Sequence, residues 1–290
     1  MKLIMTLLVR DEIDIVESNL SFHLESGVDH IVAIDNGSVD GTRDILADFA
    51  RQGLVKIIDE PVQNFDQGAW MTNAAILARD ELGADWILNN DADEFWVSRN
   101  GHLKDLLRAS SADILSCSRL NMVYPWDDER DESWAAKCIY RVRKPFKIPR
   151  LANRLTDDLP CPYFYLDLPN KALVRASRLT QIAQGNHSAS FDYDATEAPG
   201  EIDIFHFPIR STSQFRSKVV NGGGAYARNT VLPAGMGWHW RRWYRMLQTK
   251  GIEATIADAF PNREALKRGL ADGIVVEDYR MNSLINRQEN

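Results

Sequence analysis

Asp91 and Asp93 stand one residue apart in Asn89-Asn90-Asp91-Ala92-Asp93-Glu94-Phe95, directly after the apolar run Trp86 to Leu88. Two carboxylates so spaced can face one small cation if the backbone leaves strand geometry between them. They offer the hard oxygen ligands that Mg2+ or Mn2+ prefers. The plainer reading is a strand end whose acids cap the next turn. An EF-hand calcium loop is excluded, because Trp96 and His102 stand where Gly and Glu are needed. Glycine-lined phosphate loops are missing too. Arg10-Asp11-Glu12 follows the first apolar run in place of G-x-G-x-x-G, and no G-x-x-x-x-G-K-[ST] occurs. Gly37-Ser38-Val39-Asp40-Gly41 puts its serine one place early for a nucleophile elbow. What remains is a site that holds a diphosphate through a metal ion.

A second chemical signal is charge. From Ile204 through Ile252 there is no Asp or Glu, whereas Arg210, Arg216, Lys218, Arg228, Arg241, Arg242, Arg245 and Lys250 are all positive. The segregation suits an anionic ligand, against the bland alternative of a solvated basic face. Inside this stretch Ile204-Phe205-His206-Phe207 reads as a short apolar strand interrupted by one imidazole. Trp238-His239-Trp240-Arg241-Arg242-Trp243-Tyr244-Arg245 mixes aromatics with arginines, which suits membrane contact through 238–245, an acidic acceptor or a partner surface. Trp96, Trp126 and Trp134 fall where flat rings could pack on a sugar acceptor, although core packing accounts for them equally.

These residues need elements to hold them. The apolar runs Leu3 to Val9, His30 to Ile34, Leu54 to Ile58 and Trp86 to Leu88 read as buried strands. Between them, helices are predicted from Ile13 to Leu24, from Thr42 to Phe49 and from Ala69 to Leu82, each stopping at a glycine: Gly27, Gly53 and Gly83. Alternating strands and helices imply a parallel sheet covered by helices, with every strand's carboxyl end on one edge. Ligands of such sheets bind there, and the clusters Arg10 to Glu12, Asp35 to Gly41, Asp59-Glu60 and Asn89 to Glu94 all fall on that edge. A helix from His102 to Arg108 and a strand from Ile114 to Ser118 follow; residues 119–200 show no clear period, and 236–290 reads as helical.

The chain has 290 residues with 44% hydrophobic and 26% charged residues, ordinary for a globular protein and unlike a disordered one. Its net charge of -7 argues against nucleic acid as a partner. Cys117, Cys138 and Cys161 lack any C-x-x-C pair, which predicts free thiols in a reducing compartment. The N-terminal apolar run lacks a cleavage site, and no run approaches the ~20 residues needed to cross a bilayer, so a cytoplasmic location is expected.

The pair Asp35-Asn36-Gly37-Ser38-x-Asp40-Gly41-Thr42 and Asp91-Ala92-Asp93-Glu94-Phe95 resembles the nucleotide-sugar-binding half of a GT-A glycosyltransferase. The similarity is closest to the bacterial branch of glycosyltransferase family 2 with a D-A-D-E-F box, and looser to family 92. It implies an α/β, Rossmann-like fold: a mixed, mostly parallel sheet flanked by helices. Residues 1–118 would form the nucleotide-sugar half, 119–235 the acceptor and metal-completing half, and 236–290 a helical extension.

By the same resemblance, Arg10, Glu12, Asp35 and Asn36 would serve the nucleoside, typically uridine, and Gln67 and Asn73 the ribose or diphosphate. Asp40 and Thr42 are equally explained as a turn and helix cap. Asp91 would face the ribose or the metal, Asp93 would be the principal ligand of Mn2+ or Mg2+, and His206 the third ligand, with His187 as its runner-up. Lys218 and Arg210 would neutralise the leaving diphosphate. The implied activity is metal-dependent, inverting sugar transfer from a UDP-sugar to a hydroxyl of a carbohydrate or glycoconjugate, in bacterial polysaccharide or glycoconjugate synthesis. Inversion needs a base. The family's E-D pair is matched after the box only by Glu277-Asp278, near the C-terminus, which leaves Asp192, Asp194, Glu197 and His187, Asp194 first. A sugar nucleotidylyltransferase and a non-catalytic carbohydrate-binding protein are the rival readings.

Overall fold

The computed structural model describes residues 1–290 except 62–65, 129, 131–132, 230–231, 234 and 286–290. Its first half alternates as expected: β1 (Leu3–Val9), α1 (Val16–Glu25), β2 (His30–Asp35), α2 (Thr42–Arg51), β3 (Val55–Asp59), α3 (Gln67–Asp80) and β4 (Trp86–Asp91). Next come β5 (Glu94–Ser98), α4 (Leu103–Ala109), β6 (Ile114–Val123), α5 (Trp134–Lys137), β7 (Tyr140–Val142), β8 (Lys171–Arg175), β9 (Leu179–Ile182), β10 (Ala189–Phe191) and β11 (Glu197–His206). The chain closes with α6 (Thr212–Lys218), α7 (Gly224–Arg228), α8 (Trp238–Ala259), α9 (Arg263–Ala271), β12 (Val275–Glu277) and α10 (Arg280–Ile285).

Strand order across the large sheet is β12-β7-β6-β8-β4-β1-β2-β3, with β11 bound to both β5 and β6. The ladders β3/β2, β2/β1, β1/β4 and β6/β11 are parallel; those of β8, β7 and β12, and β5/β11, run antiparallel. The mixed α/β sheet flanked by helices is therefore present. Side chains along β1 alternate between two apolar layers, as the two-residue period of a strand requires. Leu3, Met5 and Leu7 join Leu20 of α1 and Leu46 of α2 in one layer. Ile4 joins Met71, Ala74, Ala75 and Ala78 of α3 in the other. Each large aliphatic so buried contributes about 1.5–3 kcal/mol, which fixes the register of the central strands.

Register then aligns the chemistry. Val9 pairs with Asp35, Asp35 with Asp59, and Leu8 with Asp91, so these strand ends lie side by side on one edge. Strand β11 brings His206 opposite Glu94 on one side and Asn121 on the other.

Several expectations are corrected. Helix α1 starts at Val16, because the amides of Ile15 and Val16 both donate to the Glu12 carbonyl in a preceding turn, and Ile13 is exposed. Strand β6 runs on past Ser118 to Val123, where β11 and β7 supply partners. The aperiodic segment 119–200 contains four strands, each too short for a visible period. The C-terminal segment is helical apart from β12, which pairs with β7, and the helix from Trp238 breaks at Gly251, whose φ is 83°. Its last five residues lie outside the described residues. All three cysteines are free, and among the described residues no helix is long and apolar enough to cross a membrane.

Candidate functional site

A cavity of about 490 Å3 opens at this edge. It is lined by Arg10, Asp11 and Glu12 after β1, Asn36 after β2, Gln67 of α3, Asp91 and Asp93 around the β4 turn, His206 of β11 and Lys218 of α6. The turn between β4 and β5 is held from beneath by a buried polar network. Asn19 Nδ2 of α1 donates to the carbonyls of Ala92 (2.9 Å) and Glu94 (2.8 Å), while Asn90 Nδ2 donates to Asn19 Oδ1 at 3.0 Å. Trp96 Nε1 donates to Asn90 Oδ1 at 2.9 Å, and the Trp96 amide to His23 Nε2 at 3.3 Å. His23 Nδ1 in turn donates to the Asn19 carbonyl at 2.8 Å. Satisfied networks of this kind specify one backbone path, which is how the Asp-Ala-Asp turn keeps its shape.

The two aspartates meet different partners. Asp91 Oδ2 accepts from Lys171 Nζ at 2.5 Å, and its Oδ1 accepts from Gln67 Nε2 at 3.3 Å. Asp93 Oδ2 accepts from Lys218 Nζ at 2.7 Å, and the same ammonium reaches Glu12 Oε1 at 2.8 Å. Burial alone would raise the Asp93 carboxyl, but Lys218 leads the nearby charges that outweigh it and hold the group well below the usual carboxylate range. Glu94 lies behind them, fully buried, with neither oxygen hydrogen-bonded and Lys171 Nζ 3.3 Å away. Burial pushes its carboxyl up to about 7 despite Lys171.

Asp91, Asp93 and His206 do not gather as one set of ligands; among the described residues no three Asp, Glu, His or Cys side chains do. A narrower pair does fit a cation. Asn121 Nδ2 donates to the Phe164 carbonyl at 3.0 Å, which turns Asn121 Oδ1 toward His206 Nδ1 at 2.9 Å. The proton therefore sits on Nδ1, and Nε2 presents a lone pair to Asp93 Oδ1, 3.7 Å away. Burial keeps the imidazole far below its ordinary pKa, hence neutral. Two lone-pair atoms at this separation can both bond one ion at about 2.1 Å. The hydrogen bond behind the imidazole is the usual support for a metal-binding histidine.

Other candidates scatter. Asp35 spends its carboxylate inside its own turn, accepting from Ser38 Oγ at 2.6 Å, and does not line the cavity. Asn73 is exposed on the outer face of α3, nearly two turns past Gln67, and Asp194 is exposed between β10 and β11; both lie outside the cavity. Asp40 and Thr42 form the turn that opens α2, Asp40 Oδ1 accepting from the Thr42 amide and hydroxyl, while Gly41 takes the N-cap position. Arg210 is buried and consumed by Glu12, Asp14 and the Phe207 carbonyl, so it braces the site instead of facing a ligand.

His187 lines the cavity, its Nδ1 donating to the Asn170 carbonyl at 2.7 Å. Gly185 permits this placement: its φ is 77°, and a Cβ there would meet the His187 ring at 2.7 Å. Protein crowding, then Lys171 and Arg119, lowers the His187 pKa to about 4, although part of the ring stays in solvent. Trp96 belongs to the core, and neither Trp126 nor Trp134 lines the cavity; its aromatic wall includes Tyr163, Phe164, Trp238, Trp240 and Trp243. Within the stretch 238–245 the side chains divide: Trp238, Arg242 and Trp243 turn inward, whereas Arg245 is exposed. Arg242 and Trp243 are buried on Asp258, Arg242 Nη2 at 2.6 Å and Trp243 Nε1 at 3.0 Å. Lys171, which the sequence reading missed, is signalled only by a lysine opening the apolar strand β8.

The model of the family described as Glycosyl transferase family 2 matches residues 14–163. No curated protein matches the chain. Similar solved structures include S. aureus TarS 1-349 in complex with UDP-GlcNAc, at 11% identity and a TM-score of 0.41, over 86% of this chain and 73% of that one. S. aureus TarS itself is 12% identical with a TM-score of 0.41, over 86% of this chain and 44% of that one. Glucosyl-3-phosphoglycerate synthase from Mycobacterium tuberculosis, in complex with Mn2+, UDP and glucosyl-3-phosphoglycerate, is 16% identical with a TM-score of 0.29, over 41% of this chain and 44% of that one.

Proposed function

Because this chain belongs to glycosyl transferase family 2, we propose that it moves a sugar from a nucleoside diphosphate donor, a UDP-sugar, to a hydroxyl of a carbohydrate or glycoconjugate. The observation that carries the reading is the convergence of Glu12, Asp93, His206 and Lys218, from four separate chain segments, on one cavity at the carboxyl edge of the sheet. Arg10 and Asn36 line the cavity and would serve the nucleoside. Asp93 and His206 would hold Mn2+ or Mg2+, Mn2+ being the more tolerant of imidazole. The ion would stabilise charge on the departing diphosphate. Lys218 supplies a second positive charge for that oxyanion; Asp93 and then Glu12 keep it protonated, and Glu12 helps to aim it.

For the acceptor step, His187 is the candidate base that lines the cavity. Its Nδ1 proton is committed to Asn170, which leaves Nε2 to receive the hydroxyl proton. Burial, then Lys171 and Arg119, hold its pKa below the ordinary histidine value, so the ring is neutral at pH 7 with Nε2 free to accept. The nucleotidylyltransferase reading is disfavoured by the missing glycine-rich loop after β1. Calorimetry with UDP tests the assignment. Binding is expected with Mn2+ and is expected to collapse in chelator and in Asp93→Ala; equal affinity in all three conditions would remove the metal bridge from the account.

A further inference from the structure

Between β7 and the cavity wall at Tyr163 the chain carries Arg143, Lys144, Lys147, Arg150 and Arg154, with no acidic residue from 143 to 154. All five are exposed, and among the described residues none has an ion-pair partner; Arg154 instead lies 5.6 Å over the Trp238 ring. Phe146 and Ile148 stand between these cations and are 42% and 40% exposed. That exposure is built in. The amides of Arg143 and Lys144 donate to the Ile274 carbonyl at 2.7 and 3.1 Å, the Phe146 amide donates to the Tyr165 carbonyl at 2.9 Å, and the Phe146 carbonyl accepts from the Asp167 amide at 2.7 Å. Pro145 and Pro149 stiffen the segment on either side. The loop is thus pinned by its backbone with two large apolar side chains turned to water.

Ile148 also lines the cavity, whose wall includes Tyr163, Phe164, Leu168 and Trp238. The exposed loop therefore borders the cavity mouth. Cations alternating with exposed apolar tips fit an anionic bilayer, where the cations gain from the surface potential and the tips enter the acyl boundary. A soluble polyanion would engage the cations and leave Phe146 and Ile148 in water. The chain's net charge of -7 means that the rest of the molecule is repelled by such a surface, so the loop also sets its orientation.

We propose that residues 143–150 seat this protein on an anionic lipid surface, with the cavity mouth beside Ile148 facing the membrane. On the transferase reading above, on which this consequence rests, the acceptor is a lipid-linked glycan presented from that surface.

The test is co-sedimentation of the full chain with vesicles of phosphatidylcholine alone or mixed with phosphatidylglycerol, using wild type, Phe146→Ser and Lys147→Glu, with heparin binding and UDP calorimetry in parallel. Pelleting with the mixed vesicles only, lowered about tenfold or more by either substitution while UDP affinity is unchanged, is the expected result. Absence of pelleting, equal pelleting with neutral vesicles, or indifference to both substitutions overturns the proposal. So does heparin binding that depends on Lys147 and not on Phe146, which assigns the loop to a soluble polyanion. Vesicle binding without UDP binding in the wild type strikes the transferase reading alone; UDP binding without vesicle binding strikes this one alone.

Discussion

Replacing Lys218 by methionine keeps the length of the side chain and removes its charge. In the native protein the ammonium lies 2.7 Å from Asp93 and 2.8 Å from Glu12, and both carboxylates are buried. Breaking a buried pair by deleting one partner costs about 3–5 kcal/mol. The Lys218 side chain keeps 19% exposure, so water can partly replace it and the lower end, about 3 kcal/mol, applies. At roughly 2 °C per kcal/mol for a chain of this size, Tm at pH 7 should fall by about 6 °C.

The pH dependence carries a sign. With Lys218 present, the Asp93 carboxyl is held below its ordinary value of 3.8, so its stabilisation is complete above that pH and is lost as pH falls toward the folded value. Without Lys218 the desolvation of Asp93 is opposed only by His206 and Arg210, so its pKa rises and the variant gains less stability than the wild type as pH climbs past 3.8. The gap between the two proteins should be widest at neutral pH and narrow near pH 4. UDP affinity should fall about tenfold or more, since one charge-assisted hydrogen bond contributes about 1.5–3 kcal/mol. Thermal melts across pH and UDP calorimetry read both effects. A Tm within a degree of wild type together with unchanged UDP affinity would refute the placement of Lys218 as the bridge.

Two further outcomes are expected. His23 is buried beneath the Asp-Ala-Asp turn, and burial lowers its pKa to about 4 from 6.5. The unfolded chain therefore takes up a proton first, and stability should fall as pH drops from about 6.5 to 4, by on the order of 3 kcal/mol. Urea midpoints should show this slope and lose it in His23→Phe; parallel curves for the two proteins would contradict it. Asn121→Ala removes the hydrogen bond that fixes the His206 tautomer, so Mn2+ affinity measured by titration should drop about 10–100-fold, and an unchanged affinity would dissociate His206 from the ion.

The sheet was legible because its strands are apolar runs closed by polar turns: β1 falls on the predicted residues, and β2, β3 and β4 differ by a few residues at their ends. The site edge followed from that topology and needed no contact information. What the sequence could not show is which charges meet. The basic run from Ile204 to Ile252 looks like one ligand-facing surface, yet Arg210 is neutralised by Glu12 and Asp14, nearly two hundred positions earlier, and Arg242 by Asp258. Asn19 and His23 read as ordinary polar residues of an otherwise apolar helix and Asn90 as part of the ligand-facing edge, and their shared role emerges only when α1 packs under the turn. Asp194 lies away from the cavity for the opposite reason. Acidity in a loop says nothing about orientation, and the β9 and β10 hairpin leaves that side chain in solvent. The exposed loop 143–150 gives no sequence signal because its short apolar tips have no period, whereas the conspicuous aromatic cluster at 238–245 turns Trp238, Arg242 and Trp243 inward.

Donor turnover tests the central claim most directly. The purified chain is incubated with Mn2+ and UDP-, GDP- or dTDP-sugars, and release of the free nucleoside diphosphate is followed. Slow release of UDP from a UDP-sugar, abolished by chelator and by Asp93→Asn, is the predicted result. Pyrophosphate formed from UTP and a sugar 1-phosphate, with no nucleoside diphosphate released from any donor, would contradict it.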